Sequence, residues 1–439
     1  MTRVRLGARA AGLAVYLLGL AALAAYLLPG LSFPSAHWPF WDVHVYWWGG
    51  RQAYSGAPLY ASGARYSFTY PPFAALVFGI FASAPEGLLA AFLTAASIVA
   101  LTVLCWLSLR AAGVRPRPGT VFAVTALALL TVPVAYTLHL GEINLILAAM
   151  VAADLLRRHD GGRWQGIATG LAAGVKMTPL IFLAYLAVTG RVRAAVTAAG
   201  AFIATVTVGF ILLPGNSRSF WLDRIFLDEN RIGDPANPSN QSWSGVVSRL
   251  AGNLEAAHGW WLAAVAVTGL AGLAIASWAH RRGLVLAGVT CCGLTGLLIS
   301  PISWTHHWVW DVPLLIMLAA GACRVRAGGA CGVRAAECAR ATGACRLRSL
   351  GYALAAVAAA AVFSGMISMP WLGPHPILAG QWQDDLYVLA GLAVLAATAV
   401  GLALGARRPG YPPPRPAAPS SPETGEDPGS ANTFIWPGT

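Results

Sequence analysis

The stretch GLLAAFLTAASIVALTVLCWLSL, residues 87–109, decides the fold. It carries no charged residue, and Arg110, Arg115 and Arg117 follow it. A bilayer core accepts about 20 consecutive apolar residues as one helix. The run therefore reads as a membrane span whose basic end faces the cytoplasm. The rest of the chain resembles it. Of 439 residues, 57% are hydrophobic and 10% charged, whereas a soluble domain carries about 25% charged residues. A chain so composed cannot clothe a water-facing surface, and disorder needs low hydrophobicity. The apolar runs are continuous rather than alternating, which argues against a β-barrel. The class is an all-α polytopic membrane protein.

Outward from that stretch, apolar runs read as helices at roughly 10–29, 86–109, 119–138, 143–156, 165–175, 178–190, 194–213, 259–279, 283–300, 305–322, 350–369 and 385–406. That predicts about 12 transmembrane helices, the three between 143 and 190 being short enough to be tilted or broken. A shorter run at 71–84 follows Tyr70-Pro71-Pro72 and reads as a half-helix dipping in from outside. Charge parity supports that choice. With 71–84 excluded, Arg157, Arg158, Arg163, Arg191, Arg193, Arg281, Arg282 and the cluster Arg324 to Arg348 all fall in inside loops. Both termini are then cytoplasmic and the protein is multi-pass in the plasma membrane. Arg3, Arg5 and Arg9 before an apolar run could mimic a signal peptide, but the run is too long and more spans follow, so it reads as a retained first span.

The net charge of +12 does not indicate nucleic acid, because the Arg residues sit in short loops between spans. Cys105, Cys291 and Cys292 lie in apolar runs as small hydrophobes, and the remaining four lie in an Arg-rich inside loop, 323–349, without metal-type spacing. The organisation is thus a membrane domain over 1–406, with a long first outer loop at 30–85, and a Pro/Ser/Gly-rich, disordered cytoplasmic tail at 407–439.

Polar residues suited to chemistry gather on the outer side. Asp42 opens a helix expected to stop at Gly56, and it shares a face with Tyr46 four residues on. Asp42 could be only a helix cap, or a carboxylate facing a polar cleft. Glu142 and Asn144 sit at a turn between spans, where Glu142 could merely face a helix dipole. Lys176 lies between two short helices; a Lys in an apolar stretch is costly and usually functional or paired, unless it snorkels. His306 and His307 begin a span. Adjacent residues point about 100° apart on a helix, so the pair is poorly placed to share a metal; His306 is expected to reach the cleft and His307 to pack. Gln241 and Arg249, in the second outer loop, could hold a sugar or a phosphate.

Several segments together resemble glycosyltransferase family 87, the polyprenyl-phosphate-mannose-dependent α-mannosyltransferases of actinobacteria, which have the GT-C membrane fold. The matching residues are Asp42-Val43-His44-Val45-Tyr46, Gly56-Ala57-Pro58-Leu59-Tyr60, Tyr70-Pro71-Pro72-Phe73, Gly141-Glu142-Ile143-Asn144, Lys176-Met177-Thr178-Pro179, Asn240-Gln241-Ser242 and Ser300-Pro301-Ile302-Ser303-Trp304-Thr305-His306-His307. They run in order from 42 to 307, and the span pattern extends the match to about 406. The resemblance implies an inverting transfer of mannose from polyprenyl-phosphate-mannose to a hydroxyl of a glycolipid or lipoglycan outside the membrane. It maps Asp42 to the general base. Tyr46, Tyr70, Glu142, Asn144, Lys176, Gln241, Arg249, His306 and His307 become candidate substrate-binding residues, with Lys176 a cation for the leaving phosphate. No Asp-x-Asp motif stands in the first outer loop, so neither a metal nor another cofactor is expected. Transfer of another polyprenyl-phosphate sugar is an alternative reading. A lipid or solute transporter would explain Lys176 between broken helices, but not the lone acid in a long outer loop.

Overall fold

The computed structural model describes residue 17 and residues 40–61, 68–156, 162–228, 231–252, 257–328, 350–364 and 385–406. The first span at 10–29, most of the Arg/Cys-rich loop at 323–349 and the tail at 407–439 lie outside them. Among the described residues the elements are helices joined by turns and loops, with an isolated bridge between Asn240 and Trp304 and no strand.

The order begins with α1 (Trp41–Ser55), the short α2 (Pro72–Gly79) and the long α3 (Glu86–Ala111). There follow α4 (Pro118–Ala128), α5 (Val132–Leu140), α6 (Asn144–Leu155), α7 (Ile167–Val175), α8 (Ile181–Val188) and α9 (Val192–Leu212). The second half holds α10 (Pro214–Trp221), α11 (Trp243–Ala251), α12 (His258–Arg281), α13 (Val285–Ile299), α14 (Asp311–Gly328), α15 (Leu350–Phe363) and α16 (Leu386–Ala406).

Four helices among the described residues are long and apolar enough to cross a membrane: Glu86–Ala111, Val192–Leu212, His258–Arg281 and Leu386–Leu404. Exposed Ile203 and Ile211 on α9, and Val267 and Leu270 on α12, form faces that only lipid would cover comfortably. The run at 119–138, read from sequence as one straight span, is instead α4 and α5 meeting at 79°. Pro133 sits at the start of α5, and a proline there can neither donate a backbone hydrogen bond nor fit against the preceding turn. The other expected crossings in the middle of the chain are shorter helices, such as Asn144–Leu155 and Thr178–Val188. The half-helix expected at 71–84 is α2 with Pro72 in its first turn, followed by a turn.

Close helix packing positions the elements between Trp41 and Gly79. On α1, Gly49 and Gly50 face Phe68 and the backbone of α2, where a Cβ on Gly50 would come within 2.7 Å of the Phe78 carbonyl. This brings Tyr46 onto Phe78, stacked with ring centroids 4.2 Å apart. Asn216 on α10 clamps the Gly56–Tyr60 segment: Leu59 N–H donates to its Oδ1 at 2.8 Å and its Nδ2 donates to the Ala57 carbonyl. The Tyr60 hydroxyl donates to the Tyr70 carbonyl at 2.8 Å. Loop, α1 and α2 thereby become one packed unit that presents Asp42, Tyr46 and Tyr70 to the turn after α5.

Candidate active site

That turn exists because α5 ends in Gly141, whose φ of 70° is the left-handed conformation open to glycine. A Cβ there would also meet Val43 at 2.2 Å. Gly141 N–H closes on Leu138 and Glu142 N–H on Thr137 at 2.9 Å, a Schellman-type end. Glu142 is thereby pointed inward, 1% exposed.

Its carboxylate collects donors. Tyr46 OH donates to Oε1 through a short hydrogen bond, Tyr70 OH donates at 3.1 Å, and Lys176 Nζ lies 3.2 Å from both oxygens. Lys176 reaches this point because α7 stops at Val175 and the chain turns extended at Lys176 before a single 3-10 turn, Thr178–Leu180. Its ammonium also donates to Asn144 Oδ1 at 2.9 Å and meets His307 Nε2 at 3.3 Å, over the Tyr70 ring at 5.6 Å. Three partners occupy its three N–H groups. A lysine ammonium only donates, so His307 Nε2 accepts and the ring proton sits on Nδ1, which has no protein partner.

His306 and His307 lie in a 3-10 turn, Thr305–His307, ahead of α14 rather than within a helix. The two rings stand 4.7 Å apart at 90°. Both rings adjoin the cluster: His307 meets Lys176, and His306, buried against Tyr136, lies beside Glu142. The His306 carbonyl is held by Thr137 Oγ1 at 2.7 Å and Asn144 Nδ2 at 3.0 Å. The helical argument against a shared metal also lapses. Ligand atoms of Glu142, His306 and His307 fall within 4.8 Å of one another, a set that suits a divalent ion. However, the Lys176 ammonium already takes up both Glu142 oxygens and the His307 lone pair, so an ion would have to displace it.

Asp42 stands in the first turn of α1. It is not the cap: Phe40 holds that position and no side-chain bond closes the helix end. Asp42 as a residue is partly exposed, whereas Glu142 is buried. Burial and then the nearby Glu142 push its pKa well above the usual carboxylate range, with Lys176 opposing. A free Asp has a reference pKa of about 3.9, so this carboxyl gives up its proton less readily than a free one. Glu142 moves the other way. Burial alone would raise it, but Lys176, His306 and the hydrogen bonds from Tyr46 and Lys176 outweigh burial and hold it low. The two carboxyl groups thus shift in opposite directions: Glu142 is held low by its donors and cations, whereas Asp42 retains its proton longer.

Gln241 and Arg249 are placed elsewhere. Gln241 N–H donates to the Ser303 carbonyl at 2.7 Å, and its Oε1 accepts from Tyr387 N–H at 2.9 Å. Arg249 donates to the carbonyls of Asn237 and Asn240 and pairs with Asp385. Asn240 Oδ1 accepts from Ser303 N–H at 2.9 Å. These residues form a clasp binding the 237–249 segment to the 300–305 segment and to α16. Thr137, Tyr136 and Asp385 were missed from sequence: Thr137 and Tyr136 look like ordinary helix residues, and Asp385 lies in no motif.

The chain belongs to glycosyltransferase family 87, whose model matches residues 68–301; α1 and Asp42 precede that match. The chain is similar, at 38% identity over 303 residues, to a polyprenol-phosphate-mannose-dependent alpha-(1-2)-phosphatidylinositol pentamannoside mannosyltransferase of Mycobacterium tuberculosis, covering 66% of this chain and 68% of the relative. It is 33% identical over 320 residues to a polyprenol-phosphate-mannose-dependent alpha-(1-2)-phosphatidylinositol mannoside mannosyltransferase of Mycolicibacterium smegmatis, covering 65% and 71%. No solved structure matches it.

Proposed function

We propose that this glycosyltransferase moves mannose from polyprenyl-phosphate-mannose to a hydroxyl of a phosphatidylinositol mannoside or related lipoglycan. The observation that carries the residue assignment is the contrast between Asp42 and Glu142. Glu142 is 1% exposed and already accepts from Tyr46, Tyr70 and Lys176, while Asp42 caps no helix end and is a partly exposed residue. Asp42 is the general base. It takes the acceptor's proton as the oxygen bonds to the anomeric carbon from the face opposite the phosphate. The bond from that carbon to the phosphate oxygen breaks, and its electron pair leaves with polyprenyl phosphate. A raised pKa suits the task, because a more basic carboxylate accepts the proton more readily once ionised.

Lys176 and the His307 Nδ1–H stabilise the charge that grows on the leaving phosphate. Glu142, Tyr46, Tyr70 and Asn144 hold Lys176 and His307 in place, and His306 fixes the turn. Gln241 and Arg249 support the site from the clasp. The domain acts in the plasma membrane with about twelve spans over 1–406, both termini cytoplasmic and the site outside. A cysteine introduced at Ser239 would then react with a membrane-impermeant thiol reagent in intact cells. The decisive assay incubates membranes containing the protein with radiolabelled polyprenyl-phosphate-mannose and a phosphatidylinositol mannoside. Labelled, mannose-extended lipid is expected; no transfer above control membranes refutes the reading.

A further inference from the structure

Lys176 stands before α8 and His307 after α13, so the far ends of these two helices, Val188 and Val285, lie at the opposite end of the bundle from the cluster. There they meet the start of α9 and the last turn of α12. Ser277 Oγ on α12 donates to the Val188 carbonyl at 3.0 Å, and Arg281 Nη2 donates to Ser277 Oγ at 2.7 Å. Tyr185, buried on α8, places its hydroxyl 3.3 Å from His280 Nδ1. Gly288 makes room for that hydroxyl, since a Cβ there would come within 2.7 Å of it. The Arg191 guanidinium lies over the Tyr185 ring at 5.3 Å, and Arg191 and Arg281 are both within electrostatic reach of His280. Arg193 and Arg282 are exposed on the adjoining turns. These Arg side chains and His280 share one end of the bundle, while α8, α9, α12, α13 and the turns at 189–191 and 282–284 contain no Asp or Glu.

We propose that this end of the bundle binds the head group of an anionic phospholipid of the surrounding bilayer, at a site separate from the catalytic cluster. Like charges brought together repel, and an anion between them relieves the repulsion. Donors for it are at hand. Arg281 makes one hydrogen bond, to Ser277, and Arg193 and Arg282 enter no ion pair among the described residues. A guanidinium offers phosphate oxygens two parallel N–H groups. The surroundings indicate what the phosphate is attached to. Val188, Val192, Val196 and Leu284 are exposed beside the cations. Val192 and Val196 are four apart and share one face of α9, so the apolar strip runs from the basic end along the helix. A free phosphate would leave that strip bare, whereas a lipid covers it with acyl chains while its phosphate meets the Arg side chains. Basic pockets between spanning helices take anionic lipid head groups in this way. Arg side chains that merely flank a span need no fixed position, but here His280 is tied to Tyr185 and Arg281 to Ser277.

The test takes the full-length protein in nonionic detergent and titrates it with dioleoyl phosphatidylglycerol or dioleoyl phosphatidylcholine, counting bound lipid by native mass spectrometry. A basic side chain beside an anionic head group is worth about fivefold in affinity. Phosphatidylglycerol is therefore expected to bind the wild type about 25-fold or more tighter than phosphatidylcholine, and inorganic phosphate at the same concentration is expected not to displace it. The double variant Arg281→Gln, Arg282→Gln is expected to lose about 25-fold in affinity for phosphatidylglycerol and to keep that for phosphatidylcholine. The double variant Arg115→Gln, Arg117→Gln removes the same charge from another exposed basic loop and is expected to change neither. In parallel, phosphatidylglycerol with a photoreactive diazirine on an acyl chain is expected to label wild-type peptides containing Val188, Val192 or Leu284, a readout that depends on no variant folding. Equal affinity for the two lipids, an equal loss in both double variants, displacement by inorganic phosphate, or labelling confined to other helices would overturn the proposal.

Discussion

Two polar regions of this molecule read alike in the sequence and do opposite work in the fold. One joins Glu142, Lys176 and His307; the other joins Asn240, Gln241, Arg249 and Asp385. In the clasp most partners of the polar side chains are backbone groups, as with Arg249 on Asn237 and Asn240 and Gln241 on Tyr387. In the cluster the side chains bond to one another, with a buried carboxylate at the centre and unpartnered ring nitrogens on His306 and His307. Polar groups that satisfy the backbone build a frame. Polar groups that satisfy each other incompletely leave capacity for a ligand.

The largest effect that comparison predicts falls on Asp42, beside the cluster. Asp42→Asn keeps size and removes basicity, so mannosyl transfer should drop by about 10²- to 10⁴-fold. The unfolding temperature should be unchanged, since the side chain caps nothing. Transfer within tenfold of wild type in folded protein would remove the base role.

Next comes Lys176→Met. Losing the cation should lower kcat/KM about 100-fold or more. It should also destabilise the fold, because stranding a buried carboxylate costs about 3–5 kcal/mol. Adding Glu142→Gln should restore thermal stability without restoring activity. A single variant as stable as wild type would show that the pair is not a buried, mutually dependent one.

Glu142→Gln alone sharpens the electrostatic part. A base must be deprotonated, so a raised Asp42 pKa places the acidic limb of the kcat/KM profile above the ordinary carboxylate range. Removing the Glu142 charge removes one of the two causes raising it and leaves Lys176 to act on Asp42. The limb should therefore move to lower pH, while burial keeps it from returning fully. A limb that stays put or moves up would separate Asp42 from Glu142.

The smallest functional effect is expected in the clasp. Arg249→Ala should lower stability by about 1–3 kcal/mol through its unpaired carbonyls and Asp385, yet leave kcat/KM within about tenfold. An activity loss as deep as that of Lys176→Met in stable protein would move Arg249 into substrate contact and erase the contrast.

Much of this was legible in the sequence, because membrane insertion imposes a local rule. Length, apolarity and flanking Arg are read window by window, so the helical class and the spans α3, α9, α12 and α16 follow directly. The helix from Trp41 to Ser55, stopped at Gly56, was equally local, and so was the breaking of the helix at Lys176. Other features needed the folded chain. Residues 119–138 look like one span, and only packing converts the Thr131–Pro133 region into a 79° bend. Asp42 and Glu142 are a hundred positions apart, and their opposite pKa shifts arise from burial and neighbours that no window contains. Lys176 reads as a lone cation until Glu142, Asn144 and His307 meet it from two other segments. Composition and periodicity determined that this chain is a helical membrane protein with polar residues to spare between its apolar runs. The tertiary structure decided which of those residues touch, and hence which carboxyl is held low by donors and which is raised by burial, because charge and hydrogen bonding depend on distances that the chain closes only when it folds.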